Sequence, residues 1–237
     1  MKIFLVKYVY KGKKIGLFKI IKDLKRKNIK KLCIFYTTQY EKISEKLEKD
    51  IRKNFVVFRR QITGCCIKLK PVDAYLYVGD GLFHPLSILK EQIDNFILKY
   101  ESFDVKNLKP VFIINRGIKQ SIRQLGDKEV RDQVNAIKAR WLNFNKAKNI
   151  GILVSVKPGQ ENFDLALKIK NKIKKIKKQP FLFLCNEIDV KEFMNFDIDF
   201  WINTACPQFS VEGHTNMCNL KEFFIFYNLL EKARKER

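Results

Sequence analysis

The chain has 237 residues, 46% of them hydrophobic, and its 48 Lys and Arg against 25 Asp and Glu give a formal net charge of +23. This hydrophobic content excludes a disordered chain, because enough apolar surface is available to offset the entropy lost on folding. The charge excess indicates a surface that attracts phosphate groups, anionic lipid or acidic protein faces, but it does not identify a reaction.

The amino-terminal residues and the cysteine content bear on the cellular compartment. Residues 1–10 are too few and too interrupted by lysine for a signal peptide, and no apolar run approaches the ~20 residues of a membrane span. We therefore expect a cytoplasmic protein. In that reducing compartment the six cysteines are expected to be core residues, metal ligands or reactive thiols rather than disulfide partners.

The first half of the chain alternates short apolar runs with segments of helical periodicity. Glu41–Asn54 and Pro85–Tyr100 contain good helix formers and a helical spacing of apolar residues. The alternation predicts βαβ units. The apolar runs are typical of buried parallel strands and comprise Ile15–Ile20, Lys31–Tyr36, Phe55–Phe58, Ala74–Val78 and Val111–Ile114.

The second half repeats this rhythm after a long charged segment, Gly117–Asn149, which is predicted to contain a connecting helix. We predict an α/β fold of two similar lobes, each a small, mostly parallel sheet flanked by helices, over residues 1–117 and 118–237. The elements predicted in the second lobe are strands at Ile150–Val156, Phe181–Leu184 and Phe200–Ile202, and helices at Asn162–Ile176 and Leu220–Lys235.

The two halves also resemble each other in sequence. Lys14–Phe18 parallels Asn149–Leu153, and each string is expected to lead through a second strand to a cysteine after a third strand. These cysteines are Cys65 and Cys206. Because ligands of open α/β sheets bind at the carboxyl ends of strands, both cysteines are predicted to lie where a ligand binds.

Cys65 and Cys206 are the candidate metal ligands. Cys206 follows a predicted strand in a turn of small residues that ends at Pro207, and Cys65 follows Gly64, which permits a tight turn. Thiolates are soft ligands that suit iron, and the ligands of one cluster need not be adjacent in sequence. The alternative for both is a small buried hydrophobic residue.

Other cysteines and the lysine run Lys168–Lys178 have structural interpretations. Cys33 and Cys185 lie inside predicted strands and are expected to be inert core residues. His214 and Cys218 have a spacing seen in zinc sites, but they lack the further ligands of a closed site. The lysine run predicts a solvated helix face, and nucleic-acid binding is the weaker alternative because no RNA-binding motif accompanies it.

Two turns between a strand and a helix are candidate ligand-binding loops. The string Gly79-Asp80-Gly81-Leu82-Phe83-His84-Pro85 is predicted to open a helix at Pro85, where free backbone N–H groups can bind an anion. His84 can donate a proton or a hydrogen bond near neutral pH. Lys157-Pro158-Gly159-Gln160 is the second such turn. The alternative for each is an ordinary turn, and no GxGxxG or P-loop string supports nucleotide binding.

Taken in order, four strings resemble the diphthamide synthase family, the 3-amino-3-carboxypropyl histidine synthases. The strings are Gly64-Cys65, Tyr77 to Pro85, Gly151 to Gln160, and Asn203-Thr204-Ala205-Cys206-Pro207. The resemblance covers nearly the whole chain and corresponds to the second and third of the three similar domains of that family. It implies a 4Fe–4S cluster held by one cysteine from each domain, so Cys65 and Cys206 would be two of the three ligands.

The resemblance also implies an activity and a substrate pocket. In the family, the reduced cluster cleaves a carbon-sulfur bond of S-adenosylmethionine, and the aminocarboxypropyl radical adds to a histidine of translation elongation factor 2. No individual catalytic residue is identified. The residues expected to bind S-adenosylmethionine are Gly79, Asp80, Gly81, His84, Lys157, Gly159, Gln160, Asn203 and Thr204.

Two departures from the family pattern bear on activity. The first departure is that the sequence offers a counterpart for only two of the three family cysteines. The cysteine of the family's first domain is therefore expected on a separate chain, in a homo- or hetero-oligomer. Substitution by Cys66 and a non-catalytic role are the alternatives. The family usually has Arg after Cys-Pro, where this sequence has Gln208, so a fixed positive charge beside the cluster is absent. The alternative function is a recruiting subunit that binds elongation factor 2 or RNA through its basic surface.

Overall fold

The computed structural model describes residues 17–62, 67–115, 121–157, 162–186, 189–205 and 213–236. The helices and strands in the first half are α1 (Leu17–Arg26), β1 (Lys31–Tyr36), α2 (Glu41–Ile51), β2 (Val56–Gln61), β3 (Ala74–Val78), α3 (Phe83–Tyr100), β4 (Val111–Asn115) and β5 (Ser121–Gln124). Those in the second half are α4 (Asp127–Lys146), β6 (Asn149–Ser155), α5 (Phe163–Lys175), β7 (Gln179–Cys185), β8 (Phe200–Asn203), β9 (Met217–Asn219) and α6 (Leu220–Lys235).

The chain divides into two compact units. The first unit comprises residues 1–92 and 106–131, and the second comprises residues 93–105 and 132–237. The predicted α/β fold of two mostly parallel sheets flanked by helices is confirmed. The predicted lobe boundary at Gly117 lies outside the described residues and stays a prediction.

The sheet of the first unit has the strand order β2-β1-β3-β4-β5. Strands β1 to β4 are parallel, and β5 runs antiparallel to β4 at one edge. Leu32–Tyr36 and Ala74–Val78 are buried throughout, as expected for central strands covered on both faces. The chain reverses its winding between β1 and β3, and ligands of open α/β sheets bind beyond the carboxyl ends of the strands at such a switch point.

The sheet of the second unit repeats this topology in the order β7-β6-β8-β9, with all strands parallel. Its switch point lies between β6 and β8. Gly151 in β6 lets the indole ring of Trp201 in β8 lie against the backbone, because a Cβ at Gly151 would be 2.5 Å from Trp201 Cζ3. The central strands are therefore packed closely beside the switch point.

The strand predicted at Ile15–Ile20 is wrong, because residues from Leu17 onward form helix α1. Leu17, Ile21 and Leu24 recur every three to four positions, and Leu24 is 2% exposed in the core of the first unit. The counterpart of β6 is consequently β1, and not Lys14–Phe18. Cys65 follows the second strand of its sheet in sequence, whereas Cys206 follows the third strand of its own.

The remaining predicted elements agree with the structure within a few residues. Ala74–Val78 and Leu220–Lys235 have the predicted bounds, and α3 begins at Phe83 rather than at Pro85. Among the helices that the structure describes, none is both long and apolar enough to cross a bilayer.

Candidate functional site at the strand ends

In the first unit, a hydrogen bond between Tyr40 and Asp80 joins the segments that follow β1 and β3. The Tyr40 hydroxyl donates to Asp80 Oδ2, and the Tyr40 side chain is 1% exposed. Asp80 itself lies at the surface in the turn between β3 and α3. A buried phenol thus fixes a surface carboxylate at the switch point of this sheet.

The backbone of the same turn is shaped by Tyr77. Its ring folds over Gly79, where a Cβ would lie 2.6 Å from Tyr77 Cζ, and its hydroxyl donates to the carbonyl oxygen of Asp80 at 3.3 Å. Burial and the nearby Asp80 carboxylate raise the pKa of Tyr77 to about 12, so the phenol stays protonated and remains a donor. Gly81 has a φ of +72°, a left-handed conformation that glycine adopts without steric cost.

His84 lies in the first turn of α3, between the rings of Tyr77 and Phe83. The centroid of the His84 ring lies 5.8 Å from the centroid of the Tyr77 ring and 5.2 Å from that of the Phe83 ring. Burial lowers the pKa of His84, so the imidazole is neutral at pH 7. Its Nδ1 atom is buried and has no hydrogen-bond partner among the residues that the structure describes. A buried polar atom without a partner marks His84 as a candidate contact for a polar group bound at this turn.

In the second unit, Asn203 ends β8 and fixes the turn that precedes Cys206. Its side chain is buried, and its Oδ1 accepts a hydrogen bond from the backbone N–H of Ala205 at 2.9 Å. Its Nδ2 donates to Asn219 Oδ1 at 2.9 Å. Asn203 and Asn219 are register partners at the ends of the neighbouring parallel strands β8 and β9.

Thr204 ties the same turn to the neighbouring strand β6. Its hydroxyl donates to the Leu153 carbonyl oxygen at 2.7 Å, and its backbone N–H donates to the same oxygen at 3.2 Å. The side-chain amide of Asn162, just before α5, donates to the Thr204 carbonyl oxygen at 2.9 Å. Both hydrogen-bonding groups of the Thr204 backbone therefore have partners on other segments.

A buried ion pair between α4 and α6 supports Asn219. Arg140 Nη2 in α4 donates to Glu222 Oε1 in α6 at 2.7 Å, with side-chain exposures of 8% and 0%. Glu222 Oε2 accepts from the backbone N–H of Asn219 at 3.4 Å, which is one half of a capping box at the start of α6. Arg140, Glu222, Asn219 and Asn203 thus form a continuous polar chain, which we call the β8 relay.

The described residues predicted from the sequence lie at the carboxyl ends of central strands. In the first unit these are Gly79, Asp80, Gly81 and His84, after β3, and in the second unit they are Lys157, after β6, with Asn203 and Thr204, at the end of β8. The predicted residues that lie outside the described part of the chain are Cys65, Gly159, Gln160 and Cys206. All of these ligand assignments stay predictions.

The cysteines that the structure describes have the surroundings of packed thiols. Cys33 in β1 is fully buried, as predicted, and burial raises its pKa to about 11. Cys185, half-buried at the end of β7, donates to the Val154 carbonyl oxygen at 3.6 Å, and burial raises its pKa. Within the described ranges no three His, Cys, Asp or Glu side chains converge as a metal site. The assignment of Cys65 and Cys206, which lie outside the described ranges, as soft-metal ligands stays a prediction.

The sequence analysis did not single out Tyr40 or the distal part of the β8 relay, and it included Tyr77 in a family string without assigning it a role. Asn219 and Glu222 have the spacing of a capping box before an apolar run, so that pattern could have indicated the start of α6. No sequence signal links Arg140 to Glu222, because 82 positions separate them.

The fold defines a class of protein: an α/β protein with two doubly wound, mostly parallel sheets. The family of diphthamide synthesis proteins matches residues 2–217, and the chain belongs to that family. The resemblance noted in the sequence is confirmed at the level of the family.

Individual relatives agree with this assignment. A 2-(3-amino-3-carboxypropyl)histidine synthase of Methanocaldococcus jannaschii is 28% identical over 213 residues, which cover 83% of this chain and 52% of the relative. The protein of the same name from Pyrococcus horikoshii is 24% identical over 159 residues, which cover 65% of this chain and 40% of the relative. The chain thus spans about half the length of the curated relatives it matches.

A solved structure agrees in fold. The crystal structure of Dph2 from Pyrococcus horikoshii superposes with a TM-score of 0.73 at 20% sequence identity. The superposition covers 93% of this chain and 64% of that chain. At this identity the similarity supports the fold alone.

Proposed function

We propose that the chain forms part of a 2-(3-amino-3-carboxypropyl)histidine synthase, which catalyses the first step of diphthamide synthesis. The reaction transfers the 3-amino-3-carboxypropyl group of S-adenosylmethionine to a histidine of translation elongation factor 2. The observation that carries this proposal is the family match over residues 2–217. The turns at the two switch points support it, because both contain the strings that resemble this family.

Cys65 and Cys206 are proposed as two of the three cysteine ligands of a 4Fe–4S cluster. Their soft thiolates suit iron, and Cys206 directly follows Ala205, whose backbone N–H is bound to Asn203. When bound, the cluster supplies the electron that breaks the carbon-sulfur bond of S-adenosylmethionine. A third thiol, from a further segment or from a separate chain of an oligomer, would complete the ligand set.

The turn between β3 and α3 is proposed to bind the amino-acid part of S-adenosylmethionine. The Asp80 carboxylate, held by Tyr40, can accept hydrogen bonds from the substrate ammonium group. The free N–H groups at the start of α3 suit the substrate carboxylate. Neutral His84 offers its Nδ1 to a further polar group. Lys157, Gly159 and Gln160, which follow β6 in the sequence, are also proposed as S-adenosylmethionine-binding residues.

A transfer assay tests the proposal. The anaerobically purified, reduced protein, together with any chain that copurifies, is supplied with elongation factor 2 and S-adenosylmethionine labelled in the aminocarboxypropyl group. We expect label on elongation factor 2, loss of transfer in Cys65→Ala and in Cys206→Ala, and retention in the matched control Cys185→Ser. Transfer that is unchanged in the Cys65→Ala, Cys206→Ala double variant would contradict the proposal.

A second candidate function is non-catalytic recruitment of RNA or of elongation factor 2 through a basic surface. One such surface lies at the amino ends of β1 and β2, where the Val56 backbone N–H donates to the Lys30 carbonyl oxygen at 2.9 Å. We call this surface the basic edge. It comprises seven exposed residues: Lys25, Arg26, Lys27, Lys30, Lys31, Arg52 and Lys53.

The charges of the basic edge favour contact with a polyanion. Arg26 pairs with Asp23 at 3.8 Å and Arg52 with Glu48 at 2.8 Å, but its five lysines have no ion pair among the described residues. If the edge binds RNA, binding of a single-stranded RNA should weaken with salt, with a logarithmic slope of about −0.7 for each phosphate neutralised. Lys27→Gln with Lys30→Gln should flatten that slope, and an unchanged slope would exclude this role for the edge.

A further inference from the structure

The three residues before Cys206 are held by side-chain hydrogen bonds as well as by the sheet. Asn203 is bound by Asn219 at 2.9 Å, and Thr204 is bound to Leu153 of β6 at 2.7 Å. Ala205 is bound by Asn203 at 2.9 Å. These side-chain hydrogen bonds are concentrated immediately before Cys206 and fix the turn that precedes it.

The orientation of the Asn203 amide determines whether Ala205 is held. Its Oδ1 must face the Ala205 N–H, and this directs Nδ2 towards Asn219. Two hydrogen bonds on opposite sides of the amide therefore fix its plane. Without the acceptor on Asn219, the Asn203 amide loses one of these two hydrogen bonds, and the acceptor of the Ala205 N–H is held less firmly.

Asn219 is itself held by the rest of the β8 relay. Its backbone N–H donates to Glu222, and Glu222 pairs with Arg140 in the interior at 2.7 Å. A buried ion pair contributes little net stability, because the desolvation of both charges offsets their attraction. In some proteins a buried polar or ionic group instead specifies one register or one geometry. Here the pair fixes the start of α6, and with it the side chain of Asn219.

We propose that Asn219, supported by Glu222 and Arg140, is a positioning residue: it fixes the turn Asn203–Ala205, which the proposed cluster ligand Cys206 directly follows in the sequence. This gives Asn203 a role in holding the turn rather than in touching S-adenosylmethionine. The inference rests on the proposed function only in taking Cys206 as a cluster ligand. The hold on Ala205 does not depend on any bound group.

The primary test uses Asn219→Ser, because serine also caps a helix but is too short to reach Asn203. The matched control is Asn149→Ser, which removes an amide that donates to the Asp197 carbonyl oxygen at 3.1 Å at the opposite end of the same sheet. In the metal-free protein, amide hydrogen exchange at Ala205 should be about fivefold faster in Asn219→Ser, the factor expected for one lost hydrogen bond. The control should exchange at the wild-type rate.

A second readout concerns iron. Asn219→Ser, reconstituted anaerobically with iron and sulfide and with any copurifying chain, should bind less iron per chain and give a broadened electron paramagnetic resonance signal. Asn219→Asp, which keeps the acceptor for Asn203, should restore both. Unchanged exchange at Ala205 would overturn the relay, and faster exchange with wild-type iron and spectrum would overturn its effect on Cys206. Wild-type iron in Cys206→Ala would instead refute the proposed function and leave the exchange result standing.

Discussion

The Tyr40 hydroxyl donates a hydrogen bond to Asp80 Oδ2 across the switch point of the first sheet, although the two residues are 40 positions apart in the chain. The bond brings a buried phenol and a surface carboxylate together between the segments that follow β1 and β3. A turn with glycine on both sides of Asp80 would otherwise have considerable conformational freedom.

Tyr40→Phe should loosen this turn without removing the buried ring. We expect a loss of roughly 1–2 kcal/mol in the free energy of unfolding, because one hydrogen bond to a charged acceptor disappears and the solvent exposure of Asp80 reduces its contribution. A larger effect is expected on S-adenosylmethionine affinity, measured by calorimetry, if Asp80 binds the substrate. Tyr100→Phe, which alters a tyrosine 53% exposed, is the control and should change neither quantity. If Tyr40→Phe binds S-adenosylmethionine with wild-type affinity, the proposal that Asp80 binds the substrate is wrong.

Gly79→Ala should destabilise the first unit, because the added Cβ would lie 2.6 Å from Tyr77 Cζ and would displace that ring. We expect a cost of about 1–3 kcal/mol, as for other overpacked sites, measured by urea denaturation. Gly126→Ala provides the comparison, since its nearest atom is Glu129 Oε2 at 3.5 Å, an ordinary contact. Equal stability of the two variants would show that the Tyr77 ring does not lie over Gly79.

Arg140→Met should be strongly destabilising, because the Glu222 carboxylate would be left buried without its partner. Removal of one member of a buried pair typically costs roughly 3–5 kcal/mol, and urea denaturation should reveal a loss of that order. The double variant Arg140→Met, Glu222→Gln should recover most of the loss, since the glutamine oxygen can still accept from Asn219. A single variant with wild-type stability would contradict the buried pairing.

The pH dependence of stability should contain a contribution from His84. Burial lowers its pKa in the folded state, so the unfolded chain binds the proton more readily. Stability is therefore full above the unfolded pKa of about 6.5 and falls as the pH drops from there through the folded pKa. In urea midpoints between pH 7.5 and pH 5, His84→Gln should lack this component. His214→Gln should keep it, and identical profiles for wild type and His84→Gln would contradict the burial.

The accuracy of the sequence predictions follows the strength of the local pattern. Ala74–Val78 is a continuous apolar run and Leu220–Lys235 a long amphipathic segment, and both have the predicted bounds. The apolar run Ile15–Ile20 was too short to distinguish a strand from a helix, and the helical spacing through Leu24 decides the matter. The short strands Ser121–Gln124 and Met217–Asn219 were not predicted, because they depend on pairing with distant strands.

For the candidate site, too, the residues with a local sequence pattern were predicted and those that depend on distant contacts were not. Asp80, His84 and Asn203 lie in strings that the sequence singles out, because turns after strands have characteristic small and polar residues. Tyr40 and Arg140 lie in helical or loop segments without a motif, and their roles arise only from tertiary contacts. Local patterns therefore indicate where the turns are, whereas the groups that hold the turns depend on long-range packing.

The measurement that tests the central claim most directly is the iron content per chain after anaerobic purification, with any copurifying chain, accompanied by electron paramagnetic resonance of the reduced sample. Wild type and Cys185→Ser should contain iron and sulfide and give a cluster signal, whereas Cys65→Ala and Cys206→Ala should each lose the cluster. A wild-type sample without iron, or a Cys65→Ala, Cys206→Ala double variant with the full cluster signal, would contradict the account.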